Sequence, residues 1–404
     1  MRDALSTIGA SLVCVIIGLV LGFIVLLVLA YLTLSGDGMP NTFGRAIKTA
    51  YNSGFKQILL GGFFMSPLGV GREISLATPL IMCGLSVGCA FKTGLFNIGA
   101  AGQYTLGAFG GILFATIFRM PWYVCLLAAT VFGAAWGAIP GILKALLNIN
   151  EVISSIMTNW IGLYAVNTIM YGGGASAMYD PNKTKTWQLR EAFPSSIIPD
   201  FGMGKMFMNR STTIAIFFAI LAAILIYILI FKTNFGFELR ACGSNRNAAK
   251  YAGINEKKSI ILSMVIAGAL AGFGGGLYYL SGVAEWNPMD SAALPAMGFN
   301  GIAVALLAAS HPLGIIFSAF LIAHINTGGG FMNATVFPPE IASIISGVIV
   351  YFCAFALLFK NGLASLGAKK KAETIAAVAA DSGEASVPPG AQTQIAPDAD
   401  EKEA

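Results

Sequence analysis

The feature that most constrains this chain is a series of apolar runs, each about 20 residues long, which is the length that crosses roughly 30 Å of hydrocarbon as a helix. They recur from near the first residue to residue 360. Candidate spans lie at residues 7–34, 74–92, 95–118, 122–146, 151–171, 212–231, 259–283, 293–310, 313–327 and 340–360. We therefore predict an all-α polytopic membrane protein with about ten transmembrane helices.

Two of these spans are short, and they flank a turn at residues 310–314 that contains Pro and Gly. Such a turn at membrane depth is tolerated only where protein or a cavity shields it from lipid. We expect the two spans to be half-crossing segments.

Charge is scarce, since 11% of the 404 residues are charged and 56% are hydrophobic. The formal net charge is +5, but the basic residues lie in short loops between spans and beside the C-terminal tail. This distribution is typical of membrane orientation and argues against nucleic-acid binding. We place the basic loop at 232–258 and both termini in the cytoplasm.

Residues 362–404 are rich in Ala, Gly, Ser and Pro and predict a disordered cytoplasmic tail after a transmembrane domain at 1–361.

Residues that would support catalysis or bind a cofactor are not evident. GVGREIS and GINEKKS both lack the second glycine of a phosphate loop. The two histidines, His311 and His324, have no metal-site spacing, and the six cysteines form no CxxC pair. We expect no catalytic site, no metal and no cofactor bound by this chain.

Glycines are frequent within the apolar runs. GFGGG at 272–276 lies inside an apolar helix and not after a strand, so it does not predict a dinucleotide site. Close packing between helices is the expected role of Gly268, Gly272, Gly275 and Gly276, and of Gly107, Gly110 and Gly111.

Neutral amides are the main polar groups inside the predicted spans: Asn97, Gln103, Asn159, Asn300 and Asn326. An amide both donates and accepts hydrogen bonds, which suits a pathway for a neutral, hydroxyl-rich solute. The alternative is that these amides hold helices together. On one continuous helix the first two would point to different faces, because they are six residues apart.

Buried carboxylates at mid-membrane are the usual sign of a proton or sodium relay. Between residues 259 and 359 the charged side chains are Glu285, Asp290 and Glu340, all near span ends. The sequence therefore gives little support to an ion-coupled transporter, which is the alternative from another functional class.

The loop ELRACGSNRNAAKYAGI at 238–254 contains a helix of about two turns, with Asn247 or Ser244 as its cap and Gly253 as its stop. A helix this short is not stable alone. Its apolar face is nearly all alanine. This is typical of a small projection that enters a groove on another protein.

These segments together resemble a known family. FNIGAAGQ at 96–103, NEVISSIMTNW at 150–160, the loop at 238–254, SMVIAGALAGFGGG at 263–276 and GFNGIAVALLAASHPLG at 298–314 follow one another as they do in permease subunits of ABC importers. The resemblance is to the branched-chain amino acid and ribose type, and within it to the nucleoside and simple-sugar branch. Ala101 stands where Glu is common in that family, and Asn300 where Asp is common.

The resemblance implies that this chain is a transport subunit and not an enzyme. It would form half of a pore in a bacterial cytoplasmic membrane, beside a second related permease, and receive solute from an extracytoplasmic binding lipoprotein. ATP and magnesium would bind to a separate cytoplasmic ATPase that docks on the coupling loop at 238–254. By resemblance the contacts are Glu238, Arg240, Gly243, Asn245, Ala248, Ala249, Tyr251 and Gly253. Nucleosides are the first expectation for cargo, simple sugars the second and branched-chain amino acids the third.

Overall fold

The computed structural model describes residues 2–35, 42–64, 66–171, 176–180, 182–183, 185–287, 293–338 and 340–354. The expected tail at 362–404, Asp290 and the side chain of Cys353 lie outside the described residues. The described residues from 11 to 354 belong to one compact unit. The following description concerns the unit of residues 11–356.

Helices make up nearly all of the described structure. The α-helices are α1 (Arg2–Ser35), α2 (Thr42–Thr49), α3 (Lys56–Leu60), α4 (Pro67–Lys92), α5 (Ala100–Thr116), α6 (Trp122–Leu147), α7 (Glu151–Tyr171), α8 (Leu189–Ala192), α9 (Met203–Met206), α10 (Ala215–Lys232), α11 (Asn234–Ser244), α12 (Arg246–Tyr251), α13 (Glu256–Tyr279), α14 (Ala296–Leu307), α15 (Pro312–Gly329) and α16 (Glu340–Ala354). A π-helical turn (Ala50–Phe55) joins α2 to α3, and 3₁₀ turns lie at Ser176–Met178 and Pro194–Ser196. Strands β1 (Tyr179–Asp180) and β2 (Lys185–Thr186) pair antiparallel, with Tyr179 opposite Thr186.

Six of the described helices are long and apolar enough to cross a membrane: Val13–Ser35 within α1, and α4, α6, α10, α13 and α15. Each predicted span contains a helix, so the all-α polytopic fold is confirmed, whereas the number of ten crossings remains a prediction. Helices suit this environment because every backbone hydrogen bond is made within the segment.

Helix α4 begins earlier than the predicted span at residue 74. The Ser66 hydroxyl accepts a hydrogen bond from the Gly69 amide at 3.1 Å, and Pro67 occupies the first turn. Both residues favour a helix start. Glu73 therefore lies inside a helix and not in a loop. Before α4, continuous helical structure extends from Thr42 to Leu60.

Of the two spans predicted to be half-crossing, α14 is short as expected, whereas α15 has 18 residues and is long and apolar enough to cross a membrane. The 12 residues of α14 extend about 18 Å. Gly298 packs on Ala101 and Gly301 packs on Cys83, which is in the middle of α4. The turn to α15 follows directly, with Ser310 in the left-handed backbone region at φ 56°.

Glycines allow the central helices to approach closely. This confirms the close helix packing that was predicted for the glycines of the apolar runs. A Cβ atom added to Gly268 would lie 2.4 Å from the carbonyl oxygen of Gly133, and one added to Gly107 would lie 2.2 Å from the Cα atom of Gly272. Helix α13 therefore packs backbone to backbone against both α5 and α6. Such close approach increases dispersion contact between helices in lipid, where hydrophobic burial adds little.

Candidate coupling loop and polar core

The predicted coupling loop folds as two consecutive helices, α11 and α12. The hydroxyl of Thr233 caps α11 by accepting from the Gly236 amide at 3.0 Å, and the side chain of Asn245 caps α12 by accepting from the Ala248 amide at 3.1 Å. The prediction of Asn247 or Ser244 as the cap was wrong, because Ser244 still belongs to α11. The stop at Gly253 is confirmed by its φ of +82°.

The predicted ATPase-contact residues differ in accessibility. Tyr251 is 95% exposed, and Glu238, Asn245, Ala248 and Gly253 are also exposed. Ala249 is only 3% exposed, so its methyl group packs within the chain and is not part of an open alanine face. The exposed side chains of α12 are instead Asn247, Ala248, Lys250 and Tyr251.

Gly243 joins the coupling loop to the turn between α4 and α5. A Cβ on Gly243 would lie 2.4 Å from the carbonyl carbon of Thr93, and one on Gly94 would lie 2.4 Å from the Cα of Gly243. Gly94 has a φ of +73°. The backbones of the two segments therefore touch directly, and a displacement of α11 is transmitted to this turn.

Arg240 faces inward from α11. Its guanidinium carbon lies 5.3 Å from the centre of the Phe231 ring, within the range of a cation–π contact. His311, at the start of α15, stacks on the same ring with centroids 5.7 Å apart. Burial, and then the nearby Lys92 ammonium, lower the pKa of His311. Arg240 thus lies where α10, α11 and the start of α15 meet.

Two of the predicted pathway amides bind each other. Asn97 donates to the side-chain oxygen of Gln103 at 2.8 Å, and Gln103 donates back to the oxygen of Asn97 at 3.1 Å. Asn97 also lies 3.0 Å from the hydroxyl of Ser86. The expectation of different helix faces was wrong, because α5 begins only at Ala100 and Asn97 lies in the preceding turn.

Asn159 joins α7 to the same turn. Its side-chain oxygen accepts from the Gly102 amide at 2.8 Å, and its nitrogen donates to the carbonyl of Ile98 at 3.1 Å. Asn97, Gln103 and Asn159 are each at most 1% exposed. In this conformation these three amides hold segments together, which was the alternative interpretation, and they line no opening. We name Asn97, Gln103, Asn159 and Ser86 the amide cluster.

The other two predicted pathway residues lie elsewhere. Asn300 is half-buried on α14. Asn326, near the end of α15, lines a cavity of about 430 Å³ together with Ser75, Ser211 and Tyr278. This cavity is at the opposite end of α10 from the coupling loop, so the five predicted amides do not form one continuous line.

A buried carboxylate was missed by the sequence analysis. Glu73 is 1% exposed, and its Oε1 lies 2.6 Å from Nδ1 of His324, while Nε2 of His324 is 3.0 Å from the carbonyl oxygen of Leu59. The Leu59 carbonyl must accept from Nε2, so one proton is shared between Glu73 and Nδ1. The sequence did contain a signal for this burial. Ser66 and Pro67 mark the start of α4, which places Glu73 about 9 Å into the helix.

No group of three or more His, Cys, Asp or Glu side chains is placed to hold a metal ion among the residues that the structure describes. Cys14, Cys83, Cys89, Cys125 and Cys242 are buried. They pack in the interior as small hydrophobic side chains do.

Comparison with known proteins identifies the family. The family described as "Branched-chain amino acid transport system / permease component" matches residues 71–354. The chain is 37% identical over 321 residues to the nucleoside ABC transporter permease protein NupB of Lactococcus lactis subsp. cremoris, covering 77% of this chain and 86% of the relative. It is 34% identical over 371 residues to the guanosine ABC transporter permease protein NupP of Bacillus subtilis, covering 90% and 98%.

A third relative, the glucose ABC transporter permease protein TsgB13 of Haloferax volcanii, is 28% identical over 306 residues, which cover 73% of this chain and 78% of that protein. No solved structure matches the chain. The family match spans both the amide cluster and the coupling loop. The chain is therefore a membrane-embedded transport subunit, and it belongs to the family of branched-chain amino acid transport system permease components.

Proposed function

We propose that this chain is the permease subunit of an ATP-driven importer of nucleosides. The observation that carries the proposal is its 34% identity to a guanosine permease across 90% of the chain. The amide and hydroxyl groups that line the cavity of Asn326 support the same cargo class, since they match a solute without net charge. The predicted location is a bacterial cytoplasmic membrane, with both termini in the cytoplasm.

The proposed energy source is a separate cytoplasmic ATPase that binds ATP and magnesium. The exposed Tyr251 on α12 and the backbone contact between Gly243 and Gly94 support this assignment. A partner that grips Tyr251 would move α11 and, through Gly243, the turn that leads to the amide cluster. The coupling loop would thereby link ATP hydrolysis to the membrane helices.

Two further partners are proposed: a second related permease and an extracytoplasmic binding lipoprotein. The second permease is supported by the presence of two similar relatives in one organism. Besides NupP, the chain resembles NupQ, another guanosine ABC transporter permease protein of Bacillus subtilis, with 28% identity over 263 residues. A heterodimer of two different permeases is therefore the proposed pore.

The test is uptake of radiolabelled nucleosides by cells that lack this permease and by the same cells complemented with it. We expect uptake only in complemented cells. It should disappear when the catalytic glutamate of the partner ATPase is replaced, and it should survive an uncoupler for as long as ATP is maintained. Uptake that collapses with the uncoupler but survives ATPase loss would favour an ion-coupled transporter.

A simple sugar is the second candidate cargo, which the similarity to the glucose permease TsgB13 favours. Glucose and ribose uptake are measured in the same two strains. Sugar uptake that depends on this chain, without nucleoside uptake, would replace the first assignment.

A further inference from the structure

The cavity that contains Asn326 has the chemistry of a site for a small neutral molecule. Its volume of about 430 Å³ falls in the range of small-molecule pockets, roughly 300–1,000 Å³. Its walls come from four separate parts of the chain, which are the first turns of α4, residues 209–215, the end of α13 and the end of α15. A site built where several helices converge is typical of ligand binding in helical proteins.

The lining favours a solute rich in hydroxyl groups. Nine of the 17 lining residues carry a hydroxyl or amide side chain, among them Ser75, Ser211, Tyr278, Asn326 and Thr327. The described lining contains no Asp or Glu. Thr327 is 4% exposed, and its hydroxyl is buried without a hydrogen-bond partner in the structure. An unpaired buried hydroxyl costs free energy that a bound polar ligand would recover.

Among the described lining residues the one cation is Arg72, and it already makes a contact within the chain. The guanidinium of Arg72 lies 5.2 Å from the centre of the Phe331 ring. This contact reduces its availability for an anionic ligand, although the guanidinium retains its hydrogen-bond donors. The arrangement therefore suits a neutral molecule better than a phosphate ester.

Part of the lining is held in place before any ligand arrives. Asn209 donates to the Ser75 hydroxyl at 3.2 Å, and Ser75 donates to the Gly71 carbonyl at 2.9 Å. The Thr212 hydroxyl donates to the same carbonyl at 2.9 Å. Preorganised polar groups reduce the entropy lost on binding. Tyr278 adds an aromatic ring to the lining, against which a flat heterocycle can stack.

The cavity is also connected to the coupling loop by one helix. Ala215, the first residue of α10, lines the cavity, and Lys232, its last, is two residues from the start of α11 at Asn234. The helix extends about 27 Å. A movement of the coupling loop therefore reaches a wall of the cavity through a single rigid element.

We infer that this cavity is a subsite for the cargo within the permease, where the sugar hydroxyls of a nucleoside bind Asn326 and Thr327 and its base lies against Tyr278. The inference rests on the proposed function and adds a site within this chain at which the cargo binds during transport. It predicts that free nucleoside binds the transporter at this point, apart from any binding protein.

The test uses the assembled transporter in membranes and a water-soluble maleimide. Ala284→Cys and Ser211→Cys place a thiol in the lining at two half-buried positions that are not proposed ligand contacts. Met206→Cys is the matched control, because Met206 is 72% exposed on α9 and does not line the cavity. Labelling of the wild-type protein measures the background from the native thiols, five of which are buried.

We expect guanosine to slow labelling of both lining cysteines and not of the control. At ten times its dissociation constant the slowing should reach about tenfold, as occupancy of one site requires. Equal labelling rates with and without saturating guanosine, in membranes whose wild-type transporter imports nucleosides, would overturn the cavity assignment. Protection by glucose but not by guanosine would overturn the ligand class.

Failure of the proposed function gives a different result. If guanosine protects both cysteines but cells do not import nucleosides through this chain, the subsite stands and the import assignment falls. A second variant, Thr327→Val, keeps the shape of the side chain and removes its hydroxyl. It should weaken guanosine protection of the cysteine at position 211, and unchanged protection would argue against the proposed contact.

Discussion

Gly243 and Gly94 bring the coupling loop and the α4–α5 turn into direct backbone contact: a Cβ on either residue would lie 2.4 Å from backbone atoms of the opposite segment. Three residues after Gly94 the chain reaches Asn97, whose side chain is bound to Gln103 and Ser86. The coupling loop, this turn and the amide cluster thus form one contiguous series of contacts. Through this series of contacts, the proposed ATPase would move the amide cluster when it moves the loop.

The first prediction concerns Gly243→Ala. Its new methyl group meets the backbone of Thr93 and Gly94, which cannot rotate away as a side chain can. Overpacking of this kind costs roughly 1–3 kcal/mol and would move α11 off the turn. We expect strongly reduced uptake with normal membrane insertion, measured as initial uptake rate per permease molecule. The control is Ser244→Ala at the exposed neighbouring position; uptake reduced equally in both variants would contradict a role for the glycine contact.

The second prediction concerns Tyr251→Ala. Tyr251 is 95% exposed, so its ring contributes almost nothing to the fold of the isolated permease. Exposed tyrosines that anchor interfaces contribute about 2 kcal/mol or more, which corresponds to about 30-fold weaker association. We expect the ATPase to be lost on copurification, while the thermal midpoint of the isolated permease is unchanged.

Lys257→Ala, on the exposed first turn of α13, serves as the control for that experiment. Ala249 is a poor choice for testing docking. It is buried, so a bulky residue there would disturb the permease itself. Normal ATPase retention by Tyr251→Ala would mean that the partner docks elsewhere.

The third prediction concerns the amide cluster. Asn97→Leu removes the donor to Gln103 and the contact with Ser86, and it leaves buried polar atoms unpaired. Each such group costs roughly 1–3 kcal/mol. We expect a lower thermal midpoint in detergent for Asn97→Leu than for Asn300→Leu, whose amide is only half-buried. Equal midpoints with altered uptake would restore the interpretation of Asn97 as a pathway residue.

Much of the fold was predictable from hydrophobicity alone. Every predicted span contains a helix, because runs of apolar side chains and the helical hydrogen-bonding requirement of lipid act locally. Close packing between α13 and its neighbours was also predictable, because glycines within apolar runs favour helix contacts in lipid. The start of α4 was missed because Arg72 and Glu73 interrupt the apolar run, although Ser66 and Pro67 signal a helix start.

The polar contacts were harder to predict. The mutual bonds of Asn97 and Gln103 depend on a turn that ends just before Ala100, so assuming one continuous helix placed the two side chains apart. Glu73 and His324 are 251 residues apart in the chain, and their contact follows only from how α4 packs on α15. Local sequence patterns do not specify such a pairing.

The last prediction concerns that pair. Glu73→Leu leaves the Nδ1 atom of His324 without its partner, next to the closely packed Gly62, and His324→Leu leaves the Glu73 carboxylate buried. A buried ionisable group that loses its partner is strongly destabilising, by roughly 3–5 kcal/mol when both members are fully buried, and by less here because His324 is partly exposed.

A double-mutant cycle separates the interaction from the burial cost. We expect the double variant Glu73→Leu/His324→Leu to unfold at a higher temperature than Glu73→Leu or His324→Leu alone, because it removes both polar groups together. Glu73→Gln should lie between Glu73→Leu and wild type, since its side-chain NH2 can still donate to Nδ1 while Nε2 donates to the Leu59 carbonyl. The readout is the unfolding midpoint of the purified permease. If the two single effects simply add, Glu73 and His324 do not depend on each other, and the pair is not what holds α4 against α15.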